Sequence, residues 1–134
     1  MNEPLRSKRA QRCAFALMPL LSALLQVTPA AAQNYPARTL RMIVPNAVGS
    51  APDIIARMIG QKLTEAWGPQ VVVDNRAGAG GMIGTELAAR SAPDGYTLLM
   101  VTATVINSTL MNTNASYDMV RDFAPVSLMV TTPY

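Results

Sequence analysis

The sequence predicts an α/β fold: a mostly parallel sheet with helices on both faces, of which the chain holds only a truncated part. Three observations carry this. Compact apolar runs rich in β-branched residues recur at Thr39–Val44, Gln70–Asp74 and Thr97–Val101. Between the first two lies a segment with apolar residues at helical spacing, and a shorter one follows the second. Glycine, proline and Asp-Gly pairs separate every run from the next. Strands alternating with helices imply parallel strands joined by right-handed crossovers, and the order 2-1-3 is assumed as the commoner choice for this pattern.

Pro45 stops the first strand, and the loop Asn46–Pro52 follows it. Ile54, Ile55, Met58, Ile59, Leu63, Ala66 and Trp67 then form an apolar stripe, with Arg57, Gln61, Lys62 and Glu65 on the other face. Trp67 is expected in the core. Ser50 and Asp53 have the spacing of a capping box, Pro52 suits a first helical turn, and Gly68-Pro69 ends the helix. The second strand, centred on Val71-Val72-Val73, reads as buried on both faces. After the cluster Arg76-Ala77-Gly78-Ala79-Gly80-Gly81, a short helix carries Ile83, Leu87 and Ala88 and ends near Ser91–Pro93. Asp94-Gly95 turns the chain into the third strand. Thr102–Ser116 reads as polar and irregular with one helical turn at Ile106–Met111, and Val126–Thr132 as a last strand.

Residues 1–32 have a different character. Arg6, Lys8, Arg9 and Arg12 precede an apolar run from Ala14 to Val27, and Ala30-Ala31-Ala32 places small residues at a cleavage point. This is the layout of a secretory signal peptide cut after Ala32. The run is shorter than the ~20 residues of a spanning helix and contains Pro19.

Of eleven basic and eight acidic residues, this segment holds four and one, so residues 33–134 keep seven of each and are neutral. A neutral body offers no nucleic-acid surface. The single cysteine, Cys13, leaves with the leader, and histidine is absent. Cysteine and serine–histidine catalysis and most transition-metal sites are thereby excluded, so the chain reads as no enzyme, with no metal and no cofactor.

In an open parallel sheet ligands bind at the carboxyl ends of the strands, beside the switch point. The loops that reach it are Asn46–Pro52, Asn75–Gly81 and Thr102–Ser108. Asn46, Ala47, Val48, Gly49 and Ser50 are the candidate ligand contacts of the first. The glycine cluster admits two readings, a tight turn needing positive φ or a row of bare N–H groups for an anion at Gly80 and Gly81. It fails the dinucleotide pattern, because Ile83 stands where the third glycine belongs. Thr102 and Thr104 offer hydroxyls. Asp53 is assigned as a structural cap, Arg57 to the solvated helix face, and Arg76 to a position ahead of the turn.

Several stretches together resemble a known family. Tyr35-Pro36, Leu40–Pro45, Gly49, Asp53–Arg57, Val71–Gly84, Ala92–Leu99, Tyr117-Asp118 and Arg121–Leu128 stand in the order and spacing of the Bug-type solute-binding proteins of tripartite tricarboxylate transporters. The resemblance implies the first lobe of a two-lobed, type II periplasmic-binding-protein fold. It also implies capture of a small carboxylate, partly by main chain and water in the loop after strand one, and delivery to integral membrane permease subunits. Ser50 stands where the family usually has a second glycine, Pro52 where it has threonine, and Met82 where it often has asparagine. Residues 33–134 are expected to form the N-terminal part of the lobe, the second lobe being absent.

The expected function is that of a periplasmic solute-binding component, or a fragment of one. The alternatives are a secreted sensor or interaction module on the same lobe, or a non-functional truncated gene product. An exported hydrolase would have only hydroxyls, carboxylates and amines to work with.

Overall fold

The structure, a computed structural model, describes residues 35–112 and 114–131. The expected leader, 1–32, and its cleavage point lie outside the described residues. Three strands, β1 (Leu40–Val44), β2 (Val71–Asn75) and β3 (Thr97–Leu99), form one parallel sheet in the order β2-β1-β3. This is the expected 2-1-3 order. Helix α1 (Ala51–Trp67) links β1 to β2, α2 (Met82–Ala89) links β2 to β3, and α3 (Ala103–Met111) follows β3. Among the described residues no helix is long and apolar enough to cross a membrane.

The central strand β1 is the best buried. Leu40, Met42 and Val44 point to one face and join Ala56, Val71 and Met100 in the core, with Ile55, Ile59 and Leu63 of α1 packed against them. Ile43 points the other way and is also fully buried, on the face where α2 crosses β1 and β3. The two crossovers thus lie on opposite faces of the sheet.

Several sequence expectations are corrected. β2 is an edge strand, so its run of valines is not buried twice over: Val72 is 42% exposed. The core stripe of α1 is rotated from the expected one. Asp53, Ala56 and Gly60 face the sheet, while Ile54 and Met58 are 52% and 65% exposed. Gly60 has no side chain to hold the helix off, so α1 lies close against Val71. Trp67 is 43% exposed and packs against the Tyr35 ring, 6.3 Å between centroids, rather than in the core.

Helix α3 replaces most of the stretch expected to be irregular. Its sequence, ATVINSTLM, is rich in poor helix formers, so packing holds it. Val105 is fully buried, and Thr109 Oγ1 donates to the Val105 carbonyl and shares a 2.9 Å bond with the Tyr117 hydroxyl. Strand β3 stops at Leu99 instead of Val101. Within 126–131 no strand forms, because no neighbouring strand among the described residues pairs with it, and Val126 and Leu128 are exposed.

Candidate functional site

The sheet register brings the loops together at one edge. Val44 pairs with Asn75 and Ile43 with Leu99. The ladder runs one step further on each side: the Arg76 N–H donates to the Val44 carbonyl at 2.8 Å, and the Met100 N–H to the Ile43 carbonyl at 2.9 Å. Asn46 lies two residues beyond the end of β1 and Thr102 three beyond the end of β3, so both stand past the carboxyl ends of adjacent strands. Asn75 Nδ2 donates to the Asn46 carbonyl at 3.3 Å and joins the first loop to the second.

Asn46 Oδ1 and Thr102 Oγ1 are buried atoms with no hydrogen-bond partner among the described residues. A buried polar atom left unpaired is destabilising, which makes these two the candidate ligand contacts at this end of the sheet. Thr102 is the N-cap residue of α3, yet its hydroxyl caps nothing. Thr104 is exposed in the first turn of the same helix.

The remaining loop residues close on themselves. Ser50 Oγ donates to the Ala47 carbonyl at 2.6 Å, so the expected serine cap does not form. Half of the expected box survives in shifted form. Asp53 reaches back to the residue before the cap, its Oδ2 accepting the Gly49 N–H at 2.8 Å. That bond, with Arg57 beside it, holds the Asp53 carboxyl below its ordinary pKa. Asp53 is 2% exposed and Arg57 Nε lies 3.0 Å from its Oδ1, an ion pair rather than an aligned hydrogen bond. The α1 N-terminus is therefore already occupied by a carboxylate of the chain itself.

Arg57 is exposed but not idle. Its Nη2 donates to Asn75 Oδ1 at 3.0 Å, so it spans from α1 to the end of β2. Arg76 pairs with Asp74 at 2.9 Å, and Arg41 holds the other oxygen of the same carboxylate. Burial alone would push Asp74 up, but those two guanidinium groups outweigh it and hold the carboxyl down. Ala47, Val48 and Gly49 are exposed, and Gly49 adopts a φ of +78° in open space.

In the glycine cluster the Gly81 N–H donates to the Gly78 carbonyl at 2.8 Å, closing a 3₁₀ turn over Ala79–Gly81. Gly80 and Gly81 adopt positive φ and face α3: a Cβ on Gly81 would lie 2.6 Å from Val105, one on Gly80 2.2 Å from Ser108 Oγ. The tight-turn reading of this cluster is thus realised. Sequence reasoning set Asn75 at the head of a site loop without giving it a role, and read only one turn of α3, whose polar composition masked the rest of the helix.

The pattern of the "Tripartite tricarboxylate transporter family receptor" matches residues 55–134. Protein BugT of Bordetella pertussis (strain Tohama I) is 43% identical over 108 residues, covering 78% of this chain and 33% of that protein. A UPF0065 protein from the tcbD-tcbE intergenic region of Pseudomonas sp. (strain P51) is 42% identical over 99 residues, covering 74% and 30%. The structure of periplasmic binding protein BugD aligns with a TM-score of 0.47 and 46% identity over 48% of this chain and 22% of that one. The chain spans about a third of the length of the relatives it matches. It belongs to the tripartite tricarboxylate transporter receptor family.

Proposed function

We propose that this chain supplies one wall of a periplasmic receptor that captures a small carboxylate and presents it to membrane permease subunits. The observation that carries the reading is the pair of buried, unpartnered atoms Asn46 Oδ1 and Thr102 Oγ1 at adjacent strand ends. Family membership supports the carboxylate as ligand class and the transporter as destination. The Thr102 hydroxyl and the free N–H groups of the first turn of α3 suit an anion. The N-terminus of α1 suits one less well, because Asp53 already occupies it. The Asn46 side chain adds a neutral polar contact, donor or acceptor according to which way its amide is turned. Ala47 to Ser50, Gly80, Gly81 and Thr104 form the rim of this proposed site. The basic, apolar N-terminal segment supports export before the site is used.

Calorimetric titration with mono-, di- and tricarboxylates tests the proposal. Saturable binding that is lost when Thr102 is replaced by valine supports it. Binding of carboxylates that ignores Thr102 and Asn46 refutes the site, and absence of binding to every member of the series in the full-length receptor context refutes the ligand class.

A further inference from the structure

We infer, taking the carboxylate reading of this site as given, that Arg57 is its positioning residue, holding the loop Asn46–Ser50 near both ends from one guanidinium. Arg57 uses two nitrogens in two directions. Its Nε lies 3.0 Å from Asp53 Oδ1, and its Nη2 donates to Asn75 Oδ1 at 3.0 Å. Asp53 in turn accepts the Gly49 N–H through Oδ2 at 2.8 Å. Asn75 Nδ2 donates to the Asn46 carbonyl at 3.3 Å. One tie thus runs from Arg57 through Asp53 to Gly49, the other through Asn75 to Asn46.

The chemistry of the side chains gives the second tie its direction. A guanidinium carries donors only, so the Asn75 atom that faces Arg57 is the amide oxygen. This turns the Asn75 NH2 toward the Asn46 carbonyl and fixes an amide that could otherwise flip. Asn46 is then held by its main chain, which leaves its own Oδ1 unpartnered at the site. The other hydrogen bonds of the loop run within it or into α1. The Ser50 N–H and hydroxyl both donate to the Ala47 carbonyl, at 3.2 and 2.6 Å, and the Ser50 carbonyl accepts from Ile54 at 3.0 Å. These shape the turn without tying it to β2, and Ala47, Val48 and Gly49 are exposed. A loop already set for its ligand loses less freedom on binding, and affinity rises accordingly. Lysine is no substitute here, because a single ammonium on a flexible stem lacks the rigid fork that holds Asp53 and Asn75 in fixed directions.

Calorimetric titration of the full-length receptor with mono-, di- and tricarboxylates, beside amide hydrogen exchange of the unliganded protein, tests this. Arg57→Lys keeps the charge and loses the fork. It is expected to raise the carboxylate Kd about three- to tenfold and to speed exchange at Gly49. Asn75→Ala cuts one of the two ties and is expected to weaken binding as well. The double variant is expected to cost less than the sum of the two, since both changes break a shared path. A general effect of positive charge would spare Arg57→Lys, and two independent structural losses would add. Parent affinity in Arg57→Lys, or costs that simply add, therefore overturns the inference. If the parent receptor binds none of the carboxylates, the functional reading falls on its own, and Gly49 exchange decides for the clamp: faster in Arg57→Lys upholds it, unchanged overturns it.

Discussion

The Thr64 hydroxyl accepts the Val71 N–H at 3.0 Å and donates to the Gly60 carbonyl at 2.8 Å, so one side chain ties α1 to the outer edge of β2. Thr64→Val keeps the shape and leaves a part-buried N–H unpaired, a loss of about 1–3 kcal/mol. Thr64→Ser keeps the hydroxyl and is expected to recover most of it. Urea denaturation midpoints followed by Trp67 fluorescence distinguish the two.

Acid sensitivity follows from Asp53. Its carboxyl is held below the ordinary value of 3.8, first by the Gly49 N–H and then by Arg57. A carboxyl with a lower pKa folded than unfolded adds stability above the unfolded pKa, and that stability is lost as pH falls through the folded one. The chain is therefore expected to weaken below about pH 4. Asp53→Asn should be less stable than the parent at pH 7 and nearly equal to it at pH 2. Asp74, Asp118 and Asp122 are held low too, so part of the acid transition persists in the variant. Equal stability gaps at both pH values would contradict this role for Asp53.

The order 2-1-3 is assumed as the commoner choice for this pattern, and once it holds, right-handed crossovers place α1 and α2 on opposite faces. What the sequence concealed was environment. Val71 and Val72 look alike in sequence but point to opposite faces, and at the edge strand β2 only the face under α1 is covered, because α2 lies over β1 and β3. Ile54 and Met58 fit a helical stripe as well as Ala56 and Gly60 do. The small pair won the core because it lets α1 approach the sheet more closely. Helix α3 was hidden because its stability comes from Val105 and Tyr117, not from its own propensities.

Gly81 is the position where backbone freedom and close packing are both required. Its φ is +91°, and an added Cβ would stand 2.6 Å from Val105 and 3.2 Å from the Pro45 carbonyl. Left-handed strain of about 1–2 kcal/mol and overpacking of about 1–3 kcal/mol then act together. Gly49→Ala meets open space, so only the strain applies there. Gly81→Ala is expected to lower the urea midpoint more than Gly49→Ala; the reverse order would show that α3 yields easily.

Export predicts a defined mature end. The small residues Ala30 and Ala32 occupy the positions that a signal peptidase reads, so material recovered from the periplasm should begin at Gln33. N-terminal sequencing checks this, and an intact Met1 end in the membrane fraction would contradict it.

The proposed site was only half legible. Loop position named Asn46 and Thr102 along with their neighbours, but nothing in sequence separates Ser50, whose hydroxyl is tied to Ala47, from Thr102, whose hydroxyl is free. That difference yields a prediction. In a full-length receptor, Thr102→Val removes the free hydroxyl and is expected to weaken carboxylate binding by about 1.5–3 kcal/mol, the range for a hydrogen bond to a charged group. Thr102→Ser should restore most of it. Ser50→Ala breaks a turn on the loop surface and should change affinity by less than Thr102→Val, because its hydroxyl is turned to its own backbone. Removing a buried unpaired oxygen also relieves the unliganded protein, so Thr102→Val should melt no lower than the parent in the absence of ligand. Weaker binding with undiminished thermal stability is the signature of a ligand contact. If the unliganded protein loses stability while affinity is retained, Thr102 is a structural cap and the site lies elsewhere.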